Sequence, residues 1–460
     1  MATIGRRSVI SGSLGLGAAT ALPLPHIAKA ADKAATVWWP QGFVPEEDAA
    51  FRAVVSEYEK SSGNKIDYSM MPFMALSQKT ISALTTGEVP DIVCWGISTI
   101  TPQNAWDDGL TDVTDVVETQ KSQFSPTALL ASQFYNNKRR ERSAYFVPLC
   151  QGGVPFHVWG SLVERAGYKT QDIPKTWDAR FDFFKPVHKA LRAQGMRKVY
   201  GLGLQMTTVG PGDGNFLFNG FLIANGGKDI LTKNGKLHTE DPVVREAAIR
   251  AVTYMTSAYK EGYVPPQVLS WNDADDNNAF HEKLIVMDFD GSISTELAVI
   301  DNKQQYYDEI VTLGLPNGND GQPVPAQLLV FGCFIPNGAR NTEVAKDFLK
   351  YLIRPQVLNA FLKASLGRWV PAMPSMVEKD PFWLDPSDPH RPPFVRQSVL
   401  GPTMPDYPAF NPAWGQVNAE QLWGQAHADV IKQGMSPAAA VDKAFRRIEE
   451  IFAKYPIPES

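Results

Sequence analysis

At 460 residues, 44% of them hydrophobic and 20% charged, the chain is too long for one ordinary core and too apolar for a disordered or fibrous protein, so two lobes are expected. The net charge of −5 argues against nucleic acid as a partner. Three cysteines, Cys94, Cys150 and Cys333, cannot build a disulfide framework; one bridge is allowed, and packing as small buried hydrophobes is the expectation for each.

Residues 1–30 read as an export signal: Arg6 and Arg7, an apolar stretch over 9–24, and Ala28-Lys29-Ala30 ahead of Ala31. The arginine pair points to the twin-arginine route, with cleavage after Ala30 and delivery to the oxidising periplasm. No later run supplies the roughly 18 uninterrupted apolar residues of a spanning helix. From Thr36 onward short apolar runs alternate with amphipathic segments, the pattern of an α/β sheet with crossover connections. A strand is expected at 36–39. The next helix starts near Pro45, with Glu46, Glu47 and Asp48 in its positive first turn, Phe51, Val54, Val55 and Tyr58 on one face, and Gly63 as terminator. Ile66, Tyr68 and Met70 alternate as a second strand, 75–86 forms a helix stopped by Gly87, and 91–95 forms a third strand. Right-handed crossovers place the loops 39–43, 72–73 and 95–99 on one rim beyond the strand ends, where ligands bind in such sheets.

A second block follows, with strands at 145–149, 199–204, 284–289, 311–315 and 328–335. Its helices open at Thr176, near Phe216, at Val243 and, last, at Ser436 followed by Pro437. The proline-rich stretch 371–412 reads as an irregular surface wrap.

The order of these signals resembles a known family. Gly87-Glu88-Val89-Pro90-Asp91-Ile92-Val93, Ala144-Tyr145-Phe146-Val147-Pro148, Pro174-Lys175-Thr176-Trp177-Asp178, Trp271-Asn272-Asp273 with Ala279-Phe280 and Leu284-Ile285-Val286-Met287, and Ile335-Pro336-Asn337-Gly338-Ala339-Arg340-Asn341 are similar to motifs of the bacterial extracellular solute-binding proteins of ABC sugar importers, family 1, maltose-binding type. The chain departs from that pattern at Glu282-Lys283 and at His157-Val158-Trp159-Gly160. The resemblance implies an α/β, two-lobed periplasmic-binding-protein fold of type II, each lobe a mixed sheet flanked by helices and joined by hinge strands. It implies an N-terminal lobe of 31–149 plus 312–354, a C-terminal lobe of 150–311 plus 355–460, and crossings near 147–151, 311–315 and 353–357. Implied with it are capture of a carbohydrate or polyol in the interlobe cleft, delivery to the importer's transmembrane permease, and a monomer without cofactor or catalysis.

Sugars offer apolar faces and rings of hydroxyls, so a site needs flat aromatic surfaces and planar polar groups. Among eleven tryptophans, Trp39, Trp95, Trp271 and Trp369 fall at strand ends or in segments that the family turns toward ligand, and Trp95 stands where the maltose-binding type has a sugar-stacking tryptophan. Phe73 lies on the expected rim. Polar contacts are expected from Gln41, Ser98, Thr99, Gln151, Asp290 and Arg368, with Gly291 allowing close backbone approach. The run Asp273, Asp275, Asp276, Asn277, Asn278 lacks the glycine and distal glutamate of a calcium loop and reads as a solvated helix start. The scattered histidines give no zinc motif, and neither a nucleophile elbow nor a phosphate-binding loop is present. The alternative is a secreted carbohydrate-active hydrolase, which needs two carboxylates facing one another across the cleft.

Overall fold

The computed structural model describes residues 34–94, 100–209, 213–272 and 274–458. The export signal expected at residues 1–30 lies outside them. Strand β1 (Ala34–Pro40) buries Ala35, Val37 and Trp39 and leaves Trp38 partly covered by the Lys79 ammonium, 4.1 Å from its ring. The helix Pro45–Ser62 begins on proline and three acids and ends at Gly63 in the left-handed conformation, φ 76°. Its Phe51 stacks on Trp39 at 3.8 Å and meets Tyr68 of β2 (Lys65–Met71) edge-on at 5.4 Å, which fixes the helix over the first two strands.

Both β2 and β3 (Ile92–Cys94) run parallel to β1, one on each side. Beyond them come β4 (Val147–Gly152), β5 (Phe156–Trp159), β6 (Tyr200–Gly203), β7 (Ile285–Phe289), β8 (Ile310–Leu313), β9 (Ala326–Phe334), β10 (Val370–Pro371) and β11 (Thr403–Pro405). The first sheet has seven strands in the order β10-β4-β9-β3-β1-β2, with β11 alongside β9; the second has four, β8-β5-β7-β6. Each sheet has its own hydrophobic core, so the molecule has two lobes. The chain leaves the first at Gly152 and Gly153, comes back after β7 over 293–306, where Ile293, Leu297 and Tyr306 join the first core, passes to the second again with β8, returns between β8 and β9, and leaves after β11, over 406–410.

The expected division needs correction at 293–306, which packs on the first core, and at its C-terminal boundary. Helix Pro355–Ala364 sends Leu358, Phe361 and Leu362 into the first core, where Phe361 meets Trp39 edge-on at 5.8 Å; β10 and Arg391–Val395 also belong there. The last crossing therefore falls after β11, over 406–410, not at 353–357. The wrap over 371–412 is also more regular than expected, holding the helices Pro374–Lys379 and Arg391–Val395 and strand β11. Among the cysteines, Cys94 and Cys333 form a disulfide between directly opposed residues of β3 and β9, while Cys150 is a free, buried thiol.

One core residue is poorly served. His427 is 1% exposed beside the stacked Phe218 and Trp423, and neither ring nitrogen has a hydrogen-bond partner among the described residues. Burial pushes its pKa down to about 3, so it sits there neutral, with two unpaid polar atoms. Such an atom costs about 1–3 kcal/mol, and His427→Leu is expected to stabilise the protein by about 1–2 kcal/mol, read as a higher urea midpoint at pH 7. A lower midpoint would show that the imidazole is satisfied in solution.

Candidate functional site

The two lobes meet at the glycine pair that ends β4. A Cβ on Gly152 would come within 2.7 Å of the Trp369 ring, and the Gly153 carbonyl accepts the N–H of Ser292 at 3.3 Å. Only glycine at 152 lets Trp369 approach so closely, and a Cβ on Gly153 would come within 2.6 Å of the Gln397 amide.

On the first lobe, the turn after β1 is held by acids of the following helix. The Gly42 N–H donates to Asp48 at 2.7 Å, and the Phe43 and Val44 N–H groups donate to Glu47 Oε1 at 3.1 and 3.3 Å. Glu47 also receives Arg368 Nη1 at 3.2 Å. The guanidinium carbon lies 5.0 Å from the exposed Phe43 ring and 5.2 Å from Trp369, which in turn packs on Phe331 at 4.2 Å. A planar cation framed by aromatic rings is suited to a ligand that has both faces and hydroxyls. Gln41 continues the β1–β2 pairing through its N–H to Met71 O at 2.7 Å and is exposed, as is Phe73 at the start of Phe73–Thr86.

On the second lobe, Asp290 follows β7. Its carboxylate accepts the Gly291 N–H at 2.6 Å, the Thr295 hydroxyl at 3.0 Å and the Asn277 amide. Gly291 is open, since a Cβ there would meet only Leu329, at 3.7 Å. Asn277 belongs to the helix Asp275–His281, which follows Trp271; Asn272 between them accepts the Gln205 amide at 3.2 Å. Next to Asp290 lie two buried carboxylates. Burial and the Asp290 charge push Asp288 up to about 7, and burial and Asp288 raise Asp276. Asp276, read from sequence as part of a solvated helix start, is 1% exposed. Among the described residues no group of three or more His, Cys, Asp and Glu side chains is arranged to hold a metal ion.

The structure thus brings Arg368 and Trp369 together on one side of the seam and Asp290 and Gly291 together on the other. It does not gather the tryptophans. Trp39, Trp271 and Trp369 are each 7% exposed, the first and last in one core and Trp271 in the other, and Trp39 is committed to packing between Phe51 and Phe361. Gln151 is 1% exposed and also committed: its amide donates to Ser398 O at 2.7 Å and its oxygen accepts the Ser125 hydroxyl at 3.4 Å. Trp95, Ser98 and Thr99 lie outside the described residues. Sequence reasoning missed Phe43, Phe331, Glu47 and Asn277; only Phe43, in the loop after β1, carried a positional signal. A groove of about 570 Å³ lies elsewhere, on the hinge side between Gly314, Val324, Pro393 and Pro402, and none of the expected site residues lines it.

Residues 53–393 match the family model described as bacterial extracellular solute-binding protein. The chain belongs to that family. Curated proteins offer this solute-binding protein no sequence match. Solved structures share its fold. An ABC transporter solute-binding protein from Thermotoga lettingae, bound with α-D-tagatose, is 20% identical over 91% of this chain and 99% of that one, with a TM-score of 0.69. The cyclic α-maltosyl-1,6-maltose binding protein of Arthrobacter globiformis is 19% identical over 92% and 99%, TM-score 0.70. A sugar transporter protein from Arthrobacter chlorophenolicus with bound laminaribiose is 18% identical over 91% and 99%, TM-score 0.69.

Proposed function

We propose that this solute-binding protein is the substrate-binding component of an ABC importer, that it captures a carbohydrate or related polyol at the seam between its lobes, and that it hands the ligand to the membrane permease without chemical change. What supports the ligand class is the pair of unlike surfaces that flank Gly152 and Gly153. Arg368 stands among Phe43 and Trp369 on one lobe, and the Asp290 carboxylate stands with the open Gly291 on the other. Aromatic edges and a guanidinium plane suit a sugar's faces, and carboxylate and amide tips suit its hydroxyls. The ligands named for the three structures above are all carbohydrates. The contacts we assign are Gln41, Phe73, Trp95, Ser98, Thr99, Trp271, Asp290, Gly291, Arg368 and Trp369; Trp39 and Gln151 drop out because both are spent on packing. We also assign a monomer, exported by the twin-arginine route and cleaved after Ala30.

A thermal-shift screen over mono- and oligosaccharides, polyols and sugar phosphates tests the reading, followed by chromatography of the incubated sugar. The expected result is a raised melting temperature with the sugar recovered intact; released product would overturn it in favour of a hydrolase. Arg368→Lys, which keeps the charge and loses the planar fork held by Glu47, Phe43 and Trp369, is expected to weaken binding about tenfold or more in a variant that retains its fold by circular dichroism. Calorimetric titration showing equal affinity would remove Arg368 from the site.

A further inference from the structure

The seam behind the candidate site is not apolar. His157 of β5 places Nδ1 2.6 Å from Glu296 Oε1 and Nε2 3.1 Å from the Asp290 carbonyl oxygen. Thr312, paired directly with His157 across β8 and β5, gives its hydroxyl to the same Glu296 oxygen and lies 2.8 Å from His390 Nδ1. His390 Nε2 is 2.6 Å from the Tyr306 carbonyl oxygen. His157, Glu296 and His390 are 0% exposed and Thr312 3%.

These residues come from both lobes. His157 and Thr312 stand on the second sheet, while Glu296 lies between Ile293 and Leu297 of the first core, and Tyr306 and the Phe394, Val395 helix belong there too. We propose that this chain of hydrogen bonds is an interlobe latch that fixes the resting angle between the lobes, anchored at the backbone of Asp290 in the candidate ligand site.

An apolar seam gives the same burial over a range of small slides and tilts, whereas this chain is satisfied at one relative placement only. Taking charged groups out of water costs several kcal/mol per ion, which a well-packed apolar pair would avoid. What the polar chain supplies is direction: if the lobes rotate, Glu296 loses His157 or Thr312 inside a low-dielectric interior, where a broken partner is expensive. Thr312 is the link whose removal cuts the chain most selectively, because Thr312→Val keeps the shape and β-branching of a strand residue and deletes only the hydroxyl joining Glu296 to His390.

The test needs no ligand. Spin labels on Lys60→Cys, in the helix Pro45–Ser62 of the first lobe, and Arg250→Cys, in Pro242–Lys260 of the second, sit at side chains 68% and 62% exposed. The native thiols are bridged or buried and leave the labels to the new sites. Pulsed electron-spin distances are expected to give one narrow interlobe population with Thr312 present, a broadened or displaced one in Thr312→Val, and the narrow one again in Thr312→Ser, which restores the hydroxyl. Folding is checked by circular dichroism; should Thr312→Val not fold, His390→Phe cuts the same chain one link further on and is compared in the same way. A folded variant with the unaltered distance distribution overturns the latch, and does so whether or not the protein binds sugar.

Discussion

Replacing Cys94 and Cys333 together by alanine is expected to cost about 4–5 kcal/mol of stability, a large share of what a lobe of this kind has. The two cysteines are 239 residues apart in sequence, so the bridge closes a loop that takes in about half of the chain. In the chain-entropy account the stabilisation grows only logarithmically with loop length, but a loop of this size already lies at the upper end, near 5 kcal/mol. Alanine is the informative substitute. Both sulfurs are buried, at 2% and 0% exposure of their residues, and serine would add the cost of burying two hydroxyls to the loss of the link. The sheet hydrogen bonds around the pair remain available to the variant, because β9 stays between β3 and β4. Denaturant titration of the oxidised protein against the variant gives the difference. A thiol count in denaturant without reductant gives the chemistry: one reactive group, Cys150, is expected before reduction and three after. Three at the outset would show that the bridge does not form in the exported protein.

The sequence carried the local structure further than the lobe boundary or the site. Proline at a first turn and glycine at a stop marked Pro45–Ser62 well, because capping is decided within a few residues. The lobe that Pro355–Ala364 joins is decided elsewhere. Its apolar stripe of Leu358, Phe361 and Leu362 would cover either sheet, and the choice follows from β9 and β10 placing that part of the chain beside Trp39. The disulfide was open for the same reason, since three cysteines allow three pairings and the one formed depends on β9 entering between β3 and β4. Aromatic content was a weak guide to the site. Tryptophan at a strand end serves a core as well as a cleft, and Trp39 went to the core through Phe51, which lies one helix away. Asp276 sat in an acidic run that looked solvated; its burial arises from the fold of its helix over β7, which no spacing rule expresses. His157 could be seen only as a departure from the family pattern, and it turned out to hold the buried charge on which the last expectation rests.

Glu296→Gln is expected to lower stability by about 3–5 kcal/mol near pH 6 and to abolish the loss of stability that the unaltered protein shows on the alkaline side. Burial alone favours the neutral imidazole of His157, but the Glu296 charge and hydrogen bond outweigh it and, with Asp290 and Asp288 nearby, push His157 up to about 9 from its ordinary 6.5. Burial would raise Glu296, and the His157 charge and hydrogen bond, with His390 and Thr312, bring it down to about 2 from 4.5. Folded His157 holds its proton longer than unfolded His157, so its contribution is complete below pH 6.5 and disappears as pH rises through about 9. Glu296 works the other way, with its contribution complete above 4.5 and lost as pH falls toward about 2. Two further groups tilt the middle of the profile. Asp288 and Asp406, both pushed up to about 7 chiefly by burial, favour the folded state when protonated, so stability declines as pH rises from their ordinary 3.8 through 7. His427 and His188, pushed down to about 3 and about 4 chiefly by burial, favour the folded state as pH rises to 6.5 and oppose that decline. The unaltered protein should therefore hold a broad maximum up to about pH 6.5 and weaken from there to pH 9. With glutamine at 296 the imidazole loses the charge that held its proton, and the decline between about pH 6.5 and 9 should flatten while the opposed contributions of the aspartates and of His427 and His188 below pH 6.5 persist. Urea midpoints from pH 4 to 9 on both proteins decide it, and an unchanged alkaline decline in the variant would mean that His157 is not charged in the fold.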